Sequence, residues 1–537
     1  MSDRSKKKIA LTSFIFILLI MAGLFAFEIM EIVSVEGQHR FYIGQRNKSE
    51  ARFEMIKNWY SEELEKFERK ENPDVQELIK KYNRVLEVNK EYLDQKFTVN
   101  HTSEGKRKSY FKFLDYAIKN GHCGLKIKQD HFGFILEDVI EYYQPKITSL
   151  QSDDEFIFYC DEMISVLDDG HTYIDYKKNE LNKSLEIGIT KEADCFVVSG
   201  FYETLKGRAG NLDIEDYLLE INGSPAGDLY NQIKKKTIFA QYPKMEEIFL
   251  RRFFRSYYFY MRDKINPEYA TLTFAKKSGE RFTLKLPWKP TRSVRNMYGV
   301  RIRNPKKQGI NGKILDNKNI GYIKIDKWDP DLIDEFNDLF DQMKNTSALI
   351  LDVRNNFGGD YTNFGQTVIS KFLDENVVTL YKKFKNSELY HRYGFAGLHY
   401  QDDPDYKGEF FPLVPVRCKA SQTKKYQNPV VLLVNQKHFS SNDLFITAFY
   451  DLNLGPIIGR INSFQMLGQP IRIKTPWNDW GLGLSVMIHY SPKKILYEDK
   501  KIRLDRHVPL TKQEIFGKKD PILSNALDYL KKKPEKQ

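Results

Sequence analysis

Two serines, Ser440 and Ser441, stand where a buried strand should give way to a helix. The run Val430–Val434 before them is continuously apolar, the pattern of a strand covered on both faces. A polar turn, Asn435–Phe439, follows, and then Leu444, Phe445, Ala448 and Phe449 recur at helical spacing. A serine at such a corner presents its hydroxyl at the end of the strand, beside the free N–H groups of a helix N-terminus. That geometry suits a nucleophile, because the helix end can stabilise the oxyanion formed on attack. The same residues could also serve as a plain helix cap, with Asp443 favouring the positive helix end.

Two other places could supply the remaining chemistry. His171 follows Asp168-Asp169-Gly170 at the end of an amphipathic helix, Glu155–Leu167, whose apolar face carries Phe156, Ile157, Cys160, Ile164 and Leu167. A histidine just beyond a helix end, after a glycine that permits an unusual backbone angle, is well exposed for proton transfer. Gly358-Gly359 could offer backbone N–H groups to an oxyanion, although paired glycines usually mark a tight turn.

Those groups need elements to hold them. Residues 319–373 read as β-α-β-α: strands at Ile320–Ile325 and Ala348–Asp352, a helix at Pro330–Met343, then the loop Arg354–Gly359 and another helix. Strands alternating with helices imply a parallel sheet with crossovers, and reactive groups collect at the strand C-termini. Upstream, residues 110–175 are helical in pattern, with Phe111, Leu114, Ile118, Phe132, Phe134, Ile135, Val139 and Ile140 at helix-compatible spacing. Residues 185–289 read mostly as β, with alternating runs at Cys195–Val198, Tyr269–Phe274 and Phe282–Leu286 and a turn at Asn222-Gly223. Phe239–Asn266 reads as a helical insertion among these strands.

The chain has 537 residues, a net charge of +12 and four cysteines. Its lysines are dispersed, and no basic helix interleaves with stacking aromatics, so a solvated basic surface is favoured over nucleic-acid binding. Cys123, Cys160, Cys195 and Cys418 follow no metal-ligand spacing; Cys160 and Cys195 lie among apolar neighbours, as buried thiols do, and one disulfide is possible without a defined pair.

Residues 1–8 are basic and Ile9–Phe27 is almost wholly apolar, long enough to cross a bilayer. A cleaved signal peptide competes with a retained anchor. No small-x-small cleavage site follows, so the expectation is a cytoplasmic tail (1–8), a transmembrane signal anchor (9–31) and an exported, periplasmic or extracytoplasmic body. Residues 32–100 read as a charged helical stalk broken at Asn72-Pro73.

Four motifs occur in one order: LDDGHT (Leu167–Thr172), Gly210–Gly223, the Ile320–Asp360 segment ending in DVRNNFGGD, and VVLLVNQKHFSSND (Val430–Asp443). A fifth, PIIGR (Pro456–Arg460), follows. This order resembles the tail-specific, or C-terminal processing, serine peptidases and their tricorn-core-like relatives, over roughly residues 110–530. Gly210–Gly223 resembles the second half of a PDZ-type domain, although Asp216 lacks the usual preceding glycine. The resemblance implies an α/β chain with a helical domain carrying DGHT (101–182), a PDZ-like β domain with an insertion (183–292) and a crotonase-like ββα/βα catalytic core (310–532).

By the same resemblance Ser440 takes the nucleophile position, and Gly358, Gly359 and the N–H of Ser441 take the oxyanion-hole positions. Asp451 matches an acidic residue after the nucleophile helix. The lysine of the Ser–Lys branch falls on Gln465, which cannot act as a general base, and Arg460 stands where the family often has Glu. His171 instead fits the branch that includes the chlamydial protease-like activity factor, which uses a histidine from an Asp-x-His motif. Glu498 is the candidate to orient its ring and Asp169 the alternative.

The implied protein is a membrane-anchored serine endopeptidase acting through an acyl-enzyme, needing no cofactor or metal. Its partner is a protein or peptide substrate that the PDZ-like region could hold by its C-terminus. The competing expectation is a catalytically silent relative that binds peptides or envelope proteins.

Overall fold

Tyr110, Phe113, Leu114, Ala117 and Ile118 recur at helical spacing and form the buried side of α1 (Ser103–Gly121), which Thr102 caps by accepting from Gly105 N at 3.1 Å. The computed structural model describes residues 92–532 apart from short stretches, the longest being 291–308 and 394–406. The described residues belong to one unit, Leu86–Gly394 with Leu398–Gln537. The expected tail, the anchor at 9–31 and nearly all of the stalk at 32–100 lie outside the described residues. Among the described residues no helix is long and apolar enough to cross a membrane.

Three more helices follow: α2 (Leu125–Phe132), α3 (Leu136–Thr148) and α4 (Asp153–Ile164). Gly133, with φ 76°, closes α2 in the left-handed conformation that glycine adopts without a Cβ penalty, and this break leaves Ile135 exposed rather than buried. A short tight turn, Ser165–Leu167, extends α4 to Asp168. Beyond His171 the chain enters β1 (Tyr173–Asp175).

Next comes an antiparallel sheet of β2 (Ile187–Glu192), β3 (Cys195–Phe201), β4 (Tyr217–Ile221), β5 (Tyr269–Ala275) and β6 (Arg281–Pro287) in that spatial order. Asn222 and Gly223, both at positive φ, turn the chain out of β4, as an Asn-Gly pair favours. The helical insertion between β4 and β5 is α5 (Glu246–Met261), whose Arg252 and Arg255 reach the buried Asp161 of α4. Cys195, expected to be buried, is exposed at the start of β3, and all four cysteines are free thiols.

The C-terminal part is built on a sheet of β7 (Ile310–Leu315), β8 (Ile320–Ile325), β9 (Ala348–Asp352), β12 (Val430–Val434), β13 (Ile457–Gly459) and β16 (Arg506–His507). All neighbours are parallel except β7 with β8. Every residue of β9 and β12 is buried, which accounts for their unbroken apolar sequences. α6 (Ile333–Met343) crosses from β8 to β9, while α7 (Ser441–Asp451) follows β12. In the register Leu349 faces Val430 and Asp352 faces Leu433, so the loops after β9 and β12 leave the same edge side by side.

A second, antiparallel sheet has the order β1, β15 (Gly481–Tyr490), β10 (Val377–Phe384), β11 (Val414–Cys418), with β14 (Leu467–Lys474) also on β15. Pairing of Tyr173 with Gly483 ties the His171 segment to this sheet. α8 (Pro521–Lys532) covers the parallel sheet through Ile522 and Ala526. The fold is mixed α/β.

Candidate active site

Ser440 has φ 58° and ψ −126°, a conformation that a residue with a Cβ adopts only under constraint, at a cost of about 1–3 kcal/mol. The constraint is visible: a Cβ built on Gly358 would lie 2.8 Å from Ser440 Cβ and 2.9 Å from Ser441 N. The two loops therefore touch backbone to backbone. Ser440 makes no side-chain cap bond to α7, so it is not a plain helix cap. Its Oγ lies 2.9 Å from His171 Nε2.

The Gly358–Gly359 loop is fixed from several sides. Ser441 Oγ donates to Gly359 O at 2.6 Å, Trp328 N donates to Gly358 O at 3.0 Å, and Asp360 N donates to Trp328 O at 2.6 Å. Both glycines have positive φ, 102° and 130°. Of the three expected oxyanion donors, Gly358 drops out because its N–H is spent on Asn356 Oδ1 at 2.9 Å. No hydrogen bond uses the N–H of Gly359 or Ser441 among the described residues, and both belong to segments that touch Ser440. These two amides are therefore unspent beside Ser440.

His171 is buried and stacks on Phe439, with ring centroids 4.4 Å apart. Asp169 Oδ1 accepts from His171 N at 2.9 Å and stands 3.9 Å from His171 Nδ1. The latter distance exceeds hydrogen-bond reach but keeps a negative charge beside the ring. Asp169 Oδ2 accepts from Thr172 Oγ1 at 2.7 Å and pairs with His122 Nε2 at 3.0 Å. His122 Nδ1 accepts from Gly124 N, which leaves Nε2 as the proton donor to Asp169. Burial alone would raise the Asp169 carboxyl, but the His122 hydrogen bond and the pull of the His122, His171 and Lys128 side chains outweigh it and hold it well below the usual carboxylate range.

Gly170 works differently from expectation. The left-handed residue in this turn is Asp168, with φ 42°. Gly170 is needed for space, because a Cβ there would lie 2.5 Å from Gln465 Oε1 and 2.6 Å from the Phe439 ring. Gln465 closes the turn: its Oε1 accepts from Gly170 N at 3.0 Å and its Nε2 donates to Asp168 O at 3.2 Å. Its own N–H donates to Asp443 Oδ2 at 2.8 Å, while Asp443 Oδ1 pairs with His438 Nδ1 at 2.5 Å. One residue thus links the His171 turn, through its side chain, to α7, through its backbone.

Glu498 does not orient His171. Its carboxylate accepts from the N–H groups of Met466 and Leu467 and forms a 2.6 Å ion pair with Lys128. Lys128, fully buried, also pairs with Asp499 at 2.7 Å. Burial raises the Glu498 carboxyl against the opposing pull of Lys128, and Asp499, sharing the lysine, adds to the rise. Asp169 is the carboxylate beside the ring. Asp451 lies at the far end of α7, where it accepts from Tyr497 OH at 2.9 Å, and so braces the helix. Arg460 pairs in two-pronged fashion with Glu514, at 2.9 and 2.5 Å. His122, Phe439 and His489 were not singled out from the sequence; only the adjacency of Phe439 to Ser440 offered a signal. Among the described residues no cluster of His, Cys, Asp and Glu is suited to a metal ion.

A serine hydroxyl on a strained strand-to-helix corner, an imidazole 2.9 Å away and two unspent amides are the kinds of group that acyl transfer uses. Residues 319–508 match Peptidase family S41. The chain carries an S41 peptidase domain. That domain is of the serine peptidase type. The S41 segment begins just before β8 and ends beside β16, and so encloses Ser440 and the Gly358–Gly359 loop. His171 comes from outside it.

Among solved structures, mature CPAF is similar at 15% identity and TM-score 0.55, covering 80% of this chain and 97% of that one. Mature CPAF complexed with lactacystin is similar at 15% identity and TM-score 0.54, covering 80% and 98%. The photosystem II D1 C-terminal processing protease has 14% identity and TM-score 0.40, with coverage of 75% and 93%. At this identity the likeness to CPAF is one of fold. No curated protein sequence matches the chain.

Proposed function

We propose that this chain is a membrane-anchored serine endopeptidase of the C-terminal processing type, with Ser440 as nucleophile and His171 as general base. The observation that carries this reading is the 2.9 Å approach of His171 Nε2 to Ser440 Oγ. It favours an enzyme over a silent peptide binder, because a binder has no need of an imidazole held on a strained serine.

In the reaction Ser440 Oγ attacks the scissile carbonyl while His171 Nε2 takes its proton. The N–H groups of Gly359 and Ser441 receive the developing oxyanion. Asp169, 3.9 Å from Nδ1, stabilises the imidazolium by charge rather than by a direct hydrogen bond. His171 then protonates the leaving amine, and water hydrolyses the acyl-enzyme with the histidine again as base. Every step draws on groups of this chain and on water.

The apolar segment at 9–31 would anchor the chain with its body exported. The antiparallel module within 183–292 is read as PDZ-like and would hold substrate C-termini by strand addition, next to a crotonase-like core at 310–532. The test is hydrolysis of a mixed library of internally quenched peptides by the full chain in detergent. Cleavage that disappears in Ser440→Ala supports the reading. Cleavage that persists in that variant, or none in a folded wild type, refutes it.

A further inference from the structure

We propose that Lys382, with His489 beside it, forms a subsite of the catalytic cleft that binds a carboxylate of the peptide substrate, either its terminal α-carboxylate or an acidic side chain. This rests on reading the cleft as a peptide-binding site.

On β10 Lys382 lies two residues from both Leu380 and Phe384, the spacing that puts the three on one face of the strand. Both neighbours are buried, yet they belong to different hydrophobic clusters, Leu380 to that of the parallel sheet and Phe384 to that of the helical part. Lys382 therefore lies at the seam between the two cores. His171 comes to the site from one side of that seam and Ser440 from the other.

Two relationships place Lys382 near the reacting groups. Lys382 is the register partner of His489 across the antiparallel pair β10–β15, which sets their side chains together on one face. A Cβ built on Gly468 would meet both His489 Cε1 at 3.3 Å and His171 Cε1 at 3.7 Å, so the two imidazoles border the same glycine. Asp360, the residue directly after Gly359, is the carboxylate whose charge acts on Lys382. The lysine thus stands across from His489, the imidazole that borders the same glycine as His171.

No described residue neutralises it closely. Asp360 is occupied with Asn363, whose N donates to Oδ1 at 2.9 Å and whose Nδ2 donates to Oδ2 at 2.5 Å. Among the described residues no carboxylate comes within ion-pair distance of Lys382. Partial burial lowers its pKa, so the charged form is held at a disadvantage that a substrate carboxylate would relieve. His489 supplies no competing positive charge. Burial first, and Lys382 second, push its pKa down to about 3, and its Nδ1–H donates to Met466 O at 2.9 Å. Its Nε2 is left as an acceptor for a substrate N–H.

The test uses the full chain carrying Ser440→Ala, so that binding is read without turnover. Two pairs of labelled peptides are compared by anisotropy: free terminal carboxylate against carboxamide, and internal Glu against Gln. In one pair or the other the carboxylate form should bind about tenfold tighter, the size of one charged hydrogen bond. The responding pair tells whether the terminus or a side chain is bound. Adding Lys382→Met should remove the preference, and Lys382→Arg should restore it. Equal binding within both pairs, or a preference that survives Lys382→Met, overturns the subsite. Failure of the peptidase reading is seen separately, as absence of a fluorophosphonate adduct on wild-type Ser440, and leaves this binding difference measurable.

Discussion

Gln465 holds Gly170: its side-chain oxygen accepts from the Gly170 N–H at 3.0 Å while its amide donates to the Asp168 carbonyl at 3.2 Å. The residue that stands where a related dyad would carry lysine thus fastens the turn from which His171 reaches Ser440. Gln465→Ala should free that turn and lower kcat about 10–100-fold with little change in KM, because misplacement by about 1 Å is costly. Gln465→Lys should not raise activity, since in the proposed mechanism His171 supplies the base. Steady-state kinetics on both variants checks this, and a gain in Gln465→Lys would speak against it.

Gly170→Ala tests the same turn from the other side. The new methyl would press on Gln465 Oε1 and the Phe439 ring, at 2.5 and 2.6 Å. Overpacking of this kind costs about 1–3 kcal/mol. The variant should melt earlier and react more slowly with a serine-directed probe. Unchanged melting and reactivity would mean that the turn is slack.

The Asp169 carboxyl binds its proton less tightly folded than unfolded. Its stabilisation is therefore full above the unfolded value of about 4 and is lost as pH falls below it. Asp169→Asn should be less stable than wild type near pH 7, and the gap should narrow as pH falls from about 5 to about 3. Denaturant unfolding across that range measures it. A gap independent of pH would contradict the assignment.

Arg354 of the DVRNNFGGD motif binds Asp352 through Nε at 2.8 Å and Nη2 at 2.6 Å, and Asp520 through Nη1 at 2.6 Å and Nη2 at 2.8 Å. Asp352 is fully buried and also accepts from Tyr322 OH at 2.6 Å. Arg354→Met leaves that carboxylate without its cation and should destabilise the chain by about 3–5 kcal/mol. Thermal or denaturant unfolding gives the value.

Much of the scaffold could be read in advance because its signals are local. Ala348–Asp352 and Val430–Val434 are continuous apolar runs, and burial on both faces leaves few alternatives to a central strand. Serine at the strand–helix corner and glycines in the facing loop were legible for the same reason. The chemistry between loops was not. Whether Ser440 caps a helix or faces an imidazole is decided by a residue 269 positions away. The Gly358 amide is withdrawn by Asn356, and Glu498 is claimed by Lys128, a lysine from α2 that no spacing links to it. Gly170 reads as a turn former, yet its role is set by two side chains from distant segments.

The most direct test of the Ser–His pair is the rate at which a fluorophosphonate probe modifies the full chain, with the adduct located by peptide mapping. The account predicts one adduct, on Ser440, forming about 10²–10⁴-fold more slowly in His171→Ala. An adduct elsewhere, or a Ser440 adduct whose rate ignores His171, would contradict it.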